Sequence, residues 1–225
     1  MQEKQLKKST EYIKEAWRIY TKKENFIYFA RIMAVLTIFS ISIGFISGYF
    51  FPENYLQNGD FSNIPLLVGY LFLSLVSIIV TLWSQSTNYL SILKIRSDEK
   101  EILKLGFKKI GKLFAVSFVI GLIVMLGAIL LIVPAIIFGV WYSFSIWLVF
   151  DKNMSIKESL SESKLMVKGI FWKVVGRSVV IGVFSFIVTL ILALIPYLGN
   201  VLITFIAPLF LLPYYLMYKD LLPNS

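Results

Sequence analysis

Between Leu113 and Phe150 the chain carries no Asp, Glu, Lys or Arg for 38 residues. As one straight helix rising about 1.5 Å per residue, this run would be about 57 Å long, nearly twice a bilayer core of about 30 Å. It must therefore cross a membrane, turn and cross back. Pro134 marks the turn region, with the β-branched Ile132 and Val133 before it and Gly127 further upstream, because proline cannot extend a helix without losing a hydrogen bond and crowding the preceding turn. Composition agrees. Of 225 residues, 58% are apolar and 16% charged, with a mean hydropathy of +0.79, against about 25% charged residues in a soluble domain.

The same length argument counts the remaining crossings. Ile32 to Phe51 and Ile64 to Trp83 each fit one span of roughly 20 residues. Ser178 to Tyr218 is again charge-free and too long, and Pro196-Tyr197-Leu198-Gly199-Asn200 supplies its turn. The expected spans are 32–51, 64–83, 113–131, 134–150, 178–195 and 201–218, the last interrupted by Pro208 and Pro213. The predicted fold class is all-α: a polytopic membrane helical bundle of six transmembrane helices arranged as three hairpins, forming one integral membrane domain over residues 1–225. The polar segment 1–24 precedes an apolar run that is too long for a signal-peptide core and ends in SGYFFPEN, so no cleaved signal is expected.

Basic residues set the expected threading. Eight lie in the arm up to Arg31, seven between Lys94 and Lys112, six between Lys152 and Arg177, and Lys219 stands alone near the end. The connections 52–63, 127–134 and 196–200 hold none. Because Lys and Arg near short loops are retained on the cytoplasmic side, both termini are expected to be cytoplasmic in a cytoplasmic (inner) membrane. The opposite side keeps only Glu53 and Asp60, in a short loop with Asn54, Asn58 and Gly59.

Each basic segment reads as an amphipathic helix leading into a hairpin. In the arm, Ile13, Ala16, Trp17 and Tyr20 share a face, with Trp and Tyr suited to the headgroup layer. Over about 98–110, Ser97 stands as N-cap, Asp98, Glu99 and Glu101 occupy the first turn, and Leu103, Phe107 and Ile110 share a face. Over about 155–168, Ser155 and Glu158 form a capping box. Ile156, Leu160, Ser163 and Val167 make the apolar face, and Gly169 ends the helix.

From residue 80 to 221 the pattern resembles the YciC-like proteins and the membrane domain attached to some glycerophosphoryl diester phosphodiesterases. The segment LLIVPAIIFGVWYSFSIWLVFDKNMSIKESLSESKLMVKGIFWKVVG carries it, through Pro134, Trp141, Tyr142, Asp151, Ser163, Gly169, Phe171 and Trp172, together with the Tyr-rich exit Tyr215-Leu216-Met217-Tyr218-Lys219-Asp220-Leu221. Ala135 stands where glycine commonly follows the proline in that group, and the chain has no phosphodiesterase domain. The resemblance implies six spans and a membrane role, and transfers no catalytic residue.

The chain has no Cys and no His, which removes thiol nucleophiles, disulfides, imidazole chemistry and structural zinc. No Asp, Glu, Lys or Arg lies in the central part of a span, which weakens a proton-relay or ion-coupled carrier. Glu53 and Asp60, seven apart in a loop, are a poor divalent-cation site. Asp151 beside Lys152 reads as a local ion pair or a helix-terminus feature, and Ser161-Glu162-Ser163 as surface helix. No catalytic residue, metal site or cofactor is expected.

Two candidate sites remain. Arg31, Lys112, Lys173 and Arg177, where spans meet the basic interface, suit anionic lipid headgroups or serve as snorkelling anchors. Tyr70, Ser74, Ser77, Thr81, Ser84 and Asn88 form a polar stripe on span two. Ser178, Gly182, Ser185 and Thr189 continue it on span five, and Thr37, Ser40, Gly44 and Gly48 on span one. Such stripes serve close helix packing or line a hydrated path. The preferred reading is a non-enzymatic membrane protein that engages the bilayer, above all anionic lipids, or a membrane-protein partner or second copy, through its basic helices. The alternative is a small-solute transport or export component using the stripes. The formal net charge of +9 is assigned to the membrane surface, with no nucleic acid partner.

Overall fold

The computed structural model describes residues 6–51, 64–196 and 198–222, and their regular structure is entirely helical. In chain order the helices are α1 (Ser9–Thr21), α2 (Lys23–Phe50), α3 (Ile64–Leu93), α4 (Glu99–Lys108), α5 (Ile110–Leu130), α6 (Ile132–Trp141), α7 (Ser145–Asp151), α8 (Ile156–Val167), α9 (Phe171–Ala193) and α10 (Leu198–Leu221). Six segments of this set are long and apolar enough to cross a membrane: α2, α3, α5, α6 with α7, α9 and α10. The chain is a multi-pass integral membrane protein built as a helical bundle. One short helix, α1, α4 or α8, stands before each hairpin. The loop holding Glu53, Asn54, Asn58, Gly59 and Asp60 lies outside the described residues, as does Tyr197.

The membrane helices outrun the charge-free stretches that define them. α2 begins at Lys23 rather than near 32, α3 continues to Leu93 rather than stopping near 83, and α9 begins at Phe171 ahead of 178. Their polar turns stay helical because they are packed: Tyr28, Phe29, Leu90, Ile92 and Val174 are all buried. The buried side chains cluster at this end of the bundle, where α1, α4, α7 and α8 fill the space between the long helices. In the opposite halves large side chains such as Phe45, Phe72, Leu130, Ile132, Phe186 and Leu194 are exposed, as lipid-facing residues are.

Two departures from the sequence reading concern helix continuity. The stretch 134–150 is not one helix. It breaks at residues 142–144 into α6 and α7, and non-helical backbone at membrane depth requires partners within the protein. Ser163 of α8 supplies them. Its hydroxyl donates to the Trp141 carbonyl at 2.7 Å and accepts from the Phe144 amide at 3.2 Å, so Ser163 is a buried staple, not surface helix. Nearby, Ser145 Oγ donates to the Ser159 carbonyl at 3.3 Å, and the Lys164 ammonium lies 4.2 Å from the centre of the Trp141 ring.

In the other direction, α10 is continuous through Pro208 and Pro213, where an interruption was expected. Pro208 removes the amide that would bond the Thr204 carbonyl. One turn position on, the Phe205 carbonyl accepts the Tyr20 hydroxyl of α1 at 2.9 Å. The Phe205 carbonyl has the Leu209 amide four residues on, so the Tyr20 bond ties α1 to α10 beside the proline and does not replace the bond lost at Thr204.

The turns follow local chemistry. The break before α6 is the single residue Leu131, and Pro134 sits in the first turn of α6, where its missing amide costs nothing. Gly127 belongs to packing more than to turning: a Cβ there would stand 2.9 Å from the Phe138 ring and 3.0 Å from the Ala135 nitrogen. Gly199 likewise brings the start of α10 against the Leu192 carbonyl. The N-cap of α4 is Asp98, which accepts from the Glu101 amide at 3.1 Å, and not Ser97, whose backbone still belongs to the preceding turn. Ser155 caps α8 in a capping box with Glu158, and Gly169 follows it at φ +83°. The Ser155 hydroxyl and amide, both donating to the Glu158 carboxylate, hold it below the usual range.

Replacing Ser163 with alanine strands both the Trp141 carbonyl and the Phe144 amide. The expected loss is about 2 kcal/mol in reversible unfolding in detergent, with Ser161→Ala on the exposed side of α8 staying within about 0.5 kcal/mol.

Candidate functional site

The basic segments meet at the packed end of the bundle, and their carboxylates and carbonyls determine which cations are left for a ligand. Arg96 adopts a left-handed backbone at φ 73° in the turn after α3. It is held there by α2, donating from Nε to Asn25 Oδ1 at 3.0 Å and pairing with Glu24 at 2.5 Å. The Tyr28 hydroxyl donates to the Lys94 carbonyl at 3.1 Å in the same corner. Lys109, half-buried between α4 and α5, donates to the Phe150 carbonyl at 3.1 Å, and burial holds its ammonium below the usual lysine range.

The arm is fastened to the last helix. The Tyr12 hydroxyl donates to Asp220 Oδ2 at 2.7 Å and accepts from the Lys7 amide at 3.2 Å. Burial and then the Asp220 carboxylate push the Tyr12 phenol above its usual range. Lys7 pairs with Glu15 at 2.9 Å, which raises its ammonium. The buried face of α1 is consequently Tyr12, Ala16 and Tyr20, while Trp17 is 57% exposed. The face expected through Ile13, Ala16, Trp17 and Tyr20 is turned by about 50°, at about 100° per residue, keeping Ala16 and Tyr20 and taking in Tyr12, whose hydroxyl finds a carboxylate inside.

Asp151 is likewise a tertiary partner and not only a terminus. It accepts the Tyr218 hydroxyl at 2.8 Å, and Tyr218, Tyr215 and Trp147 stack beside it. The Tyr-rich exit of α10 thus ties α1 on one side and α7 on the other.

The four headgroup candidates fall within this framework. Arg31 pairs with Glu99 of α4 at 3.3 Å. Lys112 donates to Asn153 Oδ1 at 2.6 Å, pinning a residue at φ 54° between α7 and α8. Arg177 donates from Nε to the Lys7 carbonyl at 2.6 Å, from Nη2 to the Leu6 carbonyl at 2.9 Å and from Nη1 to the Lys173 carbonyl at 2.8 Å. Lys173 and Arg177 adjoin on α9, but α2, α5 and α9 each pack mainly on other helices, so the four do not form one cluster. Arg31, Lys112 and Lys173 are exposed, and further exposed cations stand on the short helices: Lys14 and Arg18 on α1, Lys100, Lys104 and Lys108 on α4, and Lys157, Lys164 and Lys168 flanking or on α8. Sequence reasoning placed Lys157, Lys164 and Lys168 on the polar face of their helix but did not single out any of these as headgroup candidates. Their spacing at four and seven residues, opposite the apolar positions, was the available signal.

Five of the stripe hydroxyls are turned to their own backbones, while Thr37 Oγ1 and Asn88 Oδ1 are buried without a hydrogen-bond partner. Ser74, Ser77 and Thr81 donate to the carbonyls of Tyr70, Leu73 and Ser77, at 2.8, 2.9 and 2.9 Å. Ser185 does the same to Ile181 at 2.9 Å, and Ser40 to Leu36 at 3.0 Å. Ser178 offers its carbonyl to the Tyr214 hydroxyl at 3.3 Å, beside Gly182. Ser84, Asn88 and Thr189 are half-buried on the same helices. α3 and α9 both pack against α10. Among the described residues no group of His, Cys, Asp or Glu is placed to hold a metal ion.

No protein-family model, curated protein or solved structure matches the chain.

Hydroxyls bonded within their own helices predict a dry interior. Single cysteines at Ser77 and Ser185, in a chain with no native cysteine, are expected to resist a small membrane-impermeant thiol reagent from either side of the membrane. Rapid labelling at either would mean water at that depth.

Proposed function

We propose that the chain is a non-enzymatic membrane protein that holds anionic phospholipid against its basic end through the outward faces of α1, α4 and α8. The observation that carries this reading is the division of labour among the cations. Arg31, Arg96, Lys109, Lys112 and Arg177 bind the protein to itself, three of them while still exposed, whereas Lys14, Lys100, Lys104, Lys157 and Lys168 are exposed on the short helices and have no ion pair among the described residues. A basic residue near a charged membrane surface contributes roughly 1 kcal/mol, so several on one face give a lasting preference for anionic lipid. The positive-inside pattern puts this face and both termini in the cytoplasm, in the inner membrane. The YciC-like resemblance fits the same picture, since Trp141, Ser163, Asp151 and the tyrosines of α10 are the residues that join α6, α7, α8 and α10.

Two outcomes are expected. Lipid retained by the purified protein is enriched in phosphatidylglycerol over the bulk membrane, and the combined variant Lys100→Glu, Lys104→Glu, Lys157→Glu, Lys168→Glu loses that enrichment; equal retention of neutral lipid by the unaltered protein would refute the reading. For orientation, a single cysteine at Ser161 reacts with an impermeant reagent only in inverted vesicles and one at Asn58 only in intact cells, and the opposite pattern would reverse the threading.

A further inference from the structure

A groove of about 360 Å³ lies where α1 rests on α9 and α10, lined by Ile13, Lys14 and Trp17 of α1, Phe184 of α9, and Leu209 and Pro213 of α10. It lies beside the packed seam of α1 and α10, which two hydrogen bonds fasten, Tyr12 to Asp220 and Tyr20 to the Phe205 carbonyl. Between these bonds α1 presents the small Ala16, and α10 presents the segment from Pro208 to Pro213. The groove runs inward from the basic end. Leu209 is 11 residues before Asp220, about 16 Å along a helix, or close to half of a bilayer core of about 30 Å. That is the depth one leaflet occupies.

Its chemistry is amphiphilic and one-sided. Every lining side chain is apolar except Lys14, which is exposed, as is Arg18 one turn further along α1. Among the described residues neither cation has an ion pair. The volume is at the small end of ligand clefts, which run from about 300 to 1,000 Å³, and suits a slender occupant. We propose that the groove is a seat for one anionic phospholipid, with an acyl chain along Leu209, Pro213 and Phe184 and the phosphate at Lys14. A second copy of the chain fits poorly, since a self-complementary contact through α1 would set Lys14 and Arg18 against their own counterparts. The assignment rests on the reading that the basic end engages anionic lipid, and narrows it to one bound molecule at one place.

The test is native mass spectrometry of the full chain in detergent, titrated with phosphatidylglycerol or phosphatidylcholine. One phosphatidylglycerol should be held more tightly than the rest. Lys14→Gln should weaken it about five-fold, the effect of one basic residue near a charged surface, and Lys14→Arg should restore it. Ile13→Trp, which fills the groove, should weaken binding of that lipid whatever its headgroup, while Lys100→Gln on α4 should lower only the weaker general retention of anionic lipid and leave the affinity of this one molecule unchanged. Thermal melts of each variant show that the fold is intact. Equal effects of Lys14→Gln and Lys100→Gln would overturn the groove while leaving general anionic-lipid attraction standing. No preference for phosphatidylglycerol in the unaltered chain would remove both. A change in subunit number with Ile13→Trp, without loss of lipid, would make the groove an interface between copies and overturn the assignment.

Discussion

A helix inside a bilayer has no water to bond with, so each interruption of its backbone ladder must be repaired by another part of the protein. One such repair organises this molecule: Ser163 closes the gap between α6 and α7. A second bond, from the Tyr20 hydroxyl to the Phe205 carbonyl, ties α1 to α10 beside Pro208. Both donors sit on short helices outside the membrane-crossing set, so these bonds draw α8 and α1 into the bundle. Once there they bury Tyr12, Ala16, Met166 and Val167, and the packed end of the protein is assembled around them.

The consequence for charge follows from the same packing. Drawing polar helices against the spans brings carboxylates and loop carbonyls within reach of the cations that lie nearest the membrane, and those cations become structural ties. Cations one helical face further out keep no protein partner of that kind. The electrostatic surface offered to lipid is thus set by which arginines and lysines the turns at Arg96 and Asn153 consume.

Much of this was legible from residues alone. The long charge-free runs fix the number of crossings, because length against bilayer thickness leaves no other solution, and the Ser155 box and Gly169 place the ends of α8 within a residue. What escaped depends on distant pairs. Nothing local distinguishes Ser163 from the exposed Ser161 two positions away, since burial there is decided by Trp141 and Phe144, some twenty residues upstream. Pro208 and Pro213 read as breaks because propensity takes no account of the packing of α10 against α1, α3 and α9. The headgroup candidates were chosen by closeness to the membrane, whereas whether a cation is left without a protein partner depends on the acid or carbonyl that lies opposite, and Glu99 and the Leu6 and Lys7 carbonyls are far from Arg31 and Arg177 in sequence.

The unequal burial along the long helices has a mechanical meaning. At the end where α1, α4, α7 and α8 insert, side chains interlock as in a soluble core, and such interiors resist deformation. Beyond it α3 and α9 bury very little of their apolar length within the chain, so dispersion contacts there come from acyl chains. Thinning or thickening of the bilayer is met by helix tilt at modest cost, and here tilt is cheap only in the loosely packed leaflet. The molecule therefore behaves as a rigid plate carrying compliant struts, and a change in membrane thickness alters the spread of the struts while the plate keeps its shape.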